Sequence, residues 1–200
     1  MLDAGGLSSC DSAAVPISFG SMRPHGPERI DTERLVIRRP RASDAAAILA
    51  RYASDPEVTR YLGWPTHVTI DDTRAFLKFS EIEWKRWMVG PYLVESRDGR
   101  LVGSTGLSLE TPFRASTGYV VSRDEWGAGI ATEALQTMVV VAKSMAVRRL
   151  YAICHIEHRA SAHVLEKCGF HCEGVLRKYA EFPNLSPREP QDVLCYARVE

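Results

Sequence analysis

Apolar residues along this chain change period repeatedly, and each change marks an element. Alternating apolar and polar positions predict strands at Arg34–Arg39, Tyr92–Ser96, Leu101–Leu109, Ser116–Val121, Leu150–His155, Gly174–Tyr179 and Val193–Val199. A helical period predicts helices near Ser43–Ser54, with Ser43 as N-cap, and over Asp71–Trp87, Gly129–Met145 and Ala160–Cys168. In the third helix Ile130, Ala134, Met138 and Ala142 recur every four residues, and Ala131, Leu135 and Val139 widen the stripe, which therefore packs on a sheet. Asp98-Gly99 closes a hairpin, and Gly63-Trp64-Pro65-Thr66-His67 forms a loop. No internal repeat interrupts this order.

Residues Met1 to about Arg29 break the pattern. They are rich in Gly, Ser, Ala and Pro, with neither period, which predicts a flexible extension over 1–29 and one domain over 30–200. Met22 offers a second possible start. Two hundred residues, 45% hydrophobic, suffice for one core. Twenty-five basic residues balance twenty-five acidic ones, so no global field gathers nucleic acid or an anionic membrane. No stretch approaches the roughly 20 apolar residues of a bilayer span, and no basic, apolar leader opens the chain. A cytoplasmic protein is expected.

Five cysteines without framework spacing argue for reduced thiols, and Cys154, Cys168, Cys172 and Cys195 are expected to pack as small apolar residues. The run from Cys154 through His155, His158, His163, Cys168 and His171 to Cys172 invites a zinc reading. Its geometry opposes one: neighbours on a strand face opposite ways, and His158 and His163 on a helix stand about 140° apart. No metal is predicted.

The chemistry concentrates in Trp126-Gly127-Ala128-Gly129-Ile130-Ala131-Thr132-Glu133-Ala134, where a strand turns into the long helix. Glycines let the main chain approach an anion, and the first amides of a helix have no intrahelical acceptor. A pyrophosphate cradle from Trp126 through Thr132 follows, with the Thr132 hydroxyl as an extra donor; the plain alternative is a glycine turn that ends a strand. Thr132 stands where a dinucleotide fingerprint needs its third glycine, and no Gly-Lys-Ser/Thr follows as in a P-loop. Further on, Ser161-Ala162-His163-Val164-Leu165-Glu166-Lys167-Cys168-Gly169-Phe170 reads as a helix with a glycine stop.

With these two segments, the chain from about Asp31 to Arg198 resembles the GNAT superfamily of N-acetyltransferases, in its RimJ/RimL-like branch. Asp31-Thr32-Glu33-Arg34-Leu35-Val36-Ile37-Arg38, Gly118-Tyr119-Val120-Val121, Phe182-Pro183-Asn184-Leu185 and Asp192-Val193-Leu194-Cys195-Tyr196 carry the likeness. The resemblance implies a single α/β domain with a mixed, mostly antiparallel sheet of six to seven strands, splayed central strands and flanking helices. It implies acetyl-CoA, its pantetheine arm along Val120 and Val121, where a backbone N–H meets the thioester carbonyl.

Four positions depart from the pattern. Trp126 replaces an Arg or Gln that often opens the loop, and His158 replaces an Asn that bonds the pantetheine. Leu165 stands where many relatives carry a tyrosine acid, and Ser116 where this branch often has a carboxylate. Ser161 then becomes the candidate to protonate or bond the coenzyme A sulfur; the plain alternative is a helix-start serine bonding its own backbone. His158 either contacts the pantetheine or caps the late helix. Trp64, His67 and Tyr119 are candidates for the acceptor pocket, with Glu110 or His67 relaying the amine proton. The expected reaction is direct acetyl transfer to a primary amine, by resemblance a protein or peptide N-terminus. A small-molecule amine acceptor, and an acyl-CoA sensor with little catalysis, stay open. A homodimer is a further expectation.

Overall fold

Eight strands form one sheet: β1 (Arg29–Asp31), β2 (Leu35–Arg38), β3 (Pro91–Ser96), β4 (Leu101–Thr111), β5 (Arg114–Val121), β6 (Arg149–His155), β7 (His171–Glu181) and β8 (Pro190–Val199). Their spatial order in this computed structural model, which describes residues 25–200, is β1-β2-β3-β4-β5-β6-β8-β7. The six to seven strands expected from the sequence become eight because β1 pairs antiparallel with β2. With three residues and Ile30 its one partly buried apolar side chain, β1 has no period to read.

Most of the expected extension, Met22 included, lies outside the described residues. Its last part does not hang free: the Gly26 N–H donates to Met88 O at 2.9 Å and the Tyr92 hydroxyl to Pro27 O at 2.9 Å.

Neighbouring strands are antiparallel except β5 and β6. Parallel strands need a crossover, supplied by α4 (Ile130–Ser144). Parallel pairing stops after three steps, Arg114 with Arg149, Ala115 with Leu150 and Ser116 with Tyr151. Beyond Ser116, β5 stays on β4 while β6 stays on β8, so the sheet opens into a V. This is the splay implied by the resemblance.

The predicted apolar stripe of α4 does pack inward: Ile130, Ala134, Leu135, Met138, Val141 and Ala142 are buried with Ile37, Val94 and Val102 of the sheet. Leu93 and Leu101, one residue away on the same strands, join Ile48, Tyr52 and Leu77 in a second cluster. Strand alternation thus gives the sheet two covered faces.

The helix expected over Ser43–Ser54 is broken. A 3-10 turn (Ala42–Asp44) leads into α1 (Ala45–Ile48), and a π turn (Leu49–Ala53) closes it. Ser43 is not the cap. The Asp44 carboxylate accepts the Arg41 N–H at 2.6 Å while held by the Arg38 guanidinium at 2.8 Å, so Asp44 ties the turn. After α2 (Pro56–Thr59), α3 (Ile70–Trp87) begins with a capping box between Thr69 and Asp72. Cys172, expected to pack as an apolar residue, is exposed on β7, whereas Cys154, Cys168 and Cys195 are buried.

Candidate active site

The strand-to-helix loop has the geometry of an anion cradle. Gly127 and Gly129 sit at φ +80° and +79°, left-handed conformations that cost an L side chain about 1–2 kcal/mol. Of the amides from Trp126 to Thr132, two are engaged: Trp126 N–H donates to Arg123 O and Ala128 N–H to Glu125 O. Those of Gly127, Gly129, Ile130, Ala131 and Thr132 have no acceptor among the described residues, and the last three form the first turn of α4. The indole N–H of Trp126 donates to Val121 O at 2.8 Å, folding the loop back onto β5.

An ion pair that the sequence reading missed braces this loop. Glu133, in the first turn of α4, accepts from the Thr32 hydroxyl at 2.6 Å and from Arg34 Nε at 2.7 Å, while Arg34 Nη1 donates to Ala128 O at 2.8 Å. Burial opposes the charge on Glu133, but the bonds from Thr32 and Arg34 outweigh it and hold its pKa below the ordinary value. Ninety-nine residues separate Arg34 from Glu133, and no local pattern announces the contact.

Along the V, β5 presents a free edge. Ser122 N–H donates to Val102 O, so by antiparallel alternation Val120 spends its peptide group on β4 while Tyr119 and Val121 turn theirs toward the opening. Val121 is therefore better placed than Val120 to bond a ligand laid along this edge.

On the far side stands α5 (Arg159–Lys167), whose N-cap is His158. The His158 Nδ1 accepts the Ser161 N–H at 3.4 Å, and burial lowers the pKa of this ring, keeping it neutral with its proton on Nε2. Tyr61 packs against both His158 and His155 at ring-centroid distances of 4.6 and 5.1 Å. Tyr119 spans the opening: its hydroxyl lies 2.9 Å from Ser161 Oγ and 3.0 Å from Ser161 O. The Ser161 hydroxyl thus meets Tyr119 across the cleft, and Leu165, one turn further on, is buried.

Tyr119 and Ser161 stand between two lobes of one cleft. A lobe of about 510 Å³ is bounded by Trp126, Gly127, Gly129, Ile130 and Val164; the other, of about 460 Å³, by Trp64, Glu83, Cys154, Glu181 and Phe182. Trp64 lies on the wall of the second lobe. His67 packs behind it, ring centroids 4.9 Å apart, with Nδ1 bonded to Thr73 Oγ1 at 2.9 Å, and faces a neighbouring groove instead. Glu110 is not brought to the cleft: it pairs with Arg114 at 2.7 Å and accepts from the Tyr151 hydroxyl, in a separate groove over the closed end of the sheet. The carboxylates that do reach the second lobe are Glu83, bonded by Ser108 Oγ at 3.3 Å, and Glu181.

The Trp64 loop is fixed from a distance by Asn184. Its Nδ2 donates to Thr59 O at 2.7 Å and Trp64 O at 2.9 Å, and its Oδ1 accepts the Thr66 N–H at 2.8 Å.

Comparison with known proteins decides the family. Residues 34–171 match the acetyltransferase (GNAT) domain. The chain belongs to the GNAT acetyltransferases. Among relatives of this GNAT domain, the N-acetyltransferase YoaA of Bacillus subtilis is 31% identical over 159 residues, covering 75% of this chain and 86% of YoaA. The ribosomal-protein-serine acetyltransferase of Escherichia coli is 30% identical over 142 residues, covering 69% and 76%, which supports the RimJ/RimL-like branch. A GNAT acetyltransferase structure from Bacillus anthracis superposes with TM-score 0.73 at 29% identity, covering 86% of this chain and 98% of that one. RimL, solved with coenzyme A, shares the fold at TM-score 0.76 and 24% identity, covering 86% and 98%.

Proposed function

We propose that this GNAT domain binds acetyl-CoA across the V and transfers the acetyl group directly to a primary amine, the favoured acceptor being a protein N-terminus. The observation that carries this reading is the Tyr119–Ser161 pair standing where a phosphate-ready lobe meets a lobe edged by carboxylates.

In this reading the amides of Gly127, Gly129, Ile130, Ala131 and Thr132 take the pyrophosphate, with the Thr132 hydroxyl beside them. The turned-out N–H of Val121 or Tyr119 faces the thioester carbonyl and stabilises the oxyanion that develops during attack; one such donor is worth roughly 3 kcal/mol in acyl-transfer sites. Ser161 Oγ–H bonds the departing sulfur, and Tyr119 holds that hydroxyl in place. A thiol of ordinary pKa about 8.5 is a good leaving group that needs little acid. The ammonium form of the acceptor loses its proton to Glu83 or Glu181, directly or through one water. His158 serves by capping α5 and orienting Ser161.

The N-terminus as acceptor draws on the names of relatives that act on ribosomal proteins, and an action in the cytosol goes with it. The test is release of free thiol from acetyl-CoA in the presence of peptides, amino-acid amides and polyamines. Release with peptides above all others supports the full reading, and release with polyamines alone moves the acceptor to small molecules. Tight acetyl-CoA binding without release from any amine would make the domain a sensor.

A further inference from the structure

Beside the acceptor lobe lies a second, apolar groove of about 900 Å³ between α3 and residues 64–69. We propose that this groove receives an apolar side chain of leucine to phenylalanine size that the acceptor carries next to its amine. This deepens the acetyltransferase reading and rests on it for the identity of the neighbouring lobe.

Continuity is the first argument. Trp64, Phe79 and Ser104 line both the acceptor lobe and the groove, so a molecule whose amine reaches Tyr119 and Ser161 places its adjoining group against Phe79 and Trp64. Composition is the second. The walls are built from Ile48, Tyr52, Phe76 and Pro65, and two large apolar side chains are left in water: Val68 at 86% and Phe79 at 51% exposure. Apolar side chains exposed together beside a site mark a binding surface.

The distribution of charge is the third argument. The groove's one carboxylate, Asp72, is occupied as the cap of α3, accepting from Val68 N–H at 3.0 Å and Thr69 N–H at 2.8 Å. His67 is bonded to Thr73, and burial lowers its pKa, so its ring is neutral. Glu83 and Glu181 lie instead in the acceptor lobe. An ammonium group is drawn to that lobe, and the groove offers an apolar group the wall it needs. The matching ligand is an amphiphilic amine such as a peptide whose first residue is leucine or phenylalanine.

Phenylalaninamide and serinamide test this, because each carries one α-amine and no carboxylate. With the full chain and acetyl-CoA, kcat/KM for phenylalaninamide is expected to exceed that for serinamide by at least about 10-fold. Val68→Asp and Phe79→Ser, at exposed positions that leave the core intact, should each pull that ratio toward one. Equal rates, a preference for serinamide, or a ratio unmoved by both variants overturns the groove assignment.

Calorimetry on the coenzyme A complex separates the two claims. Phenylalaninamide should bind more tightly than serinamide and lose that advantage in Phe79→Ser, whether or not turnover occurs. Absence of thiol release from every amine defeats the enzymatic reading; absence of any difference in binding defeats the groove.

Discussion

The hydroxyl of Tyr119 on β5 reaches Ser161 on α5 from across the open edge of the sheet, 2.9 Å from its Oγ and 3.0 Å from its carbonyl oxygen. The parted strand β5 is thus tied by one side chain to the helix that follows β6, at the point where the two lobes meet. Removing either hydroxyl should slow the reaction without emptying the cofactor lobe. Tyr119→Phe and Ser161→Ala are each expected to lower kcat about 10-fold, and the double variant to fall well short of the product of the two. Steady-state rates for all four proteins measure the coupling; fully multiplicative losses would show the hydroxyls acting independently.

The cradle can be tested against a matched control. Gly129→Glu puts bulk and negative charge among the free amides at φ +79°, and should abolish acetyl-CoA binding. Gly99→Ala, at φ +84° in the β3–β4 turn with nothing within 4 Å, imposes comparable backbone strain far from the loop. It should lower the melting temperature by a few degrees and leave acetyl-CoA affinity unchanged. If both variants bind alike, the loop is not the anion site.

Asn184 should govern the acceptor and not the cofactor. Asn184→Ala leaves Thr59 O, Trp64 O and the Thr66 N–H without this partner, a cost of about 2 kcal/mol in stability. Freed from that anchor, Trp64 should wander. The expected result is an acceptor KM raised several-fold with acetyl-CoA affinity retained, read by kinetics and calorimetry side by side.

The proton acceptor is separable by pH. Glu83→Gln and Glu181→Gln remove the carboxylates at the cleft wall in turn. The variant that loses the base should show kcat/KM rising with pH to higher values than the parent, since only amine already deprotonated in solution then reacts. The other variant should keep the parent profile.

Stability should also depend on pH, through two histidines. Burial depresses the pKa of His67 and of His158 below the ordinary value of about 6.5. The unfolded chain therefore takes up these protons first as pH falls, and the native state is penalised. The stabilisation is present above about pH 6.5 and is lost as pH falls through the lower folded values. Denaturant midpoints measured from pH 7.5 to 5 should decline, and His67→Gln should flatten part of the decline.

Period and punctuation in the sequence located α3, α4, α5 and seven of the strands, most of them through a buried stripe that repeats; β7, which buries no residue, and α5, which buries only Leu165, are legible instead from the Gly169 stop between them and their alternation. Ile130, Ala134, Met138 and Ala142 are the plainest instance, expected to pack and found buried. The π turn at Leu49–Ala53 has no sign in the sequence, since the apolar residues there suit a plain helix, and the 3-10 turn before α1 depends on Asp44 being drawn to Arg38. The spacing of Gly127 and Gly129 before the helix marks the left-handed turn that leaves the first amides of α4 without partners among the described residues. What escaped were pairings over long chain separations: Arg34 with Glu133, Asn184 with Trp64 and the meeting of Tyr119 with Ser161. Glu110 misled for a related reason. Lying at the end of β4, it was a plausible neighbour of the cleft, but the strand carries it to the closed end, where Arg114 and Tyr151 claim it.

Pairing of β5 with β6 over only Arg114 to Ser116 makes the sheet resemble an opened book, its spine three residues tall. The pages, β1–β5 and β6–β8, share one buried core beneath α4, so the width of the gap is set at its mouth, where Tyr119 touches Ser161. A single pair of hydroxyls thus sets the clearance that any occupant of the gap must meet, and the short spine leaves the rest of the opening to be shaped by side chains alone.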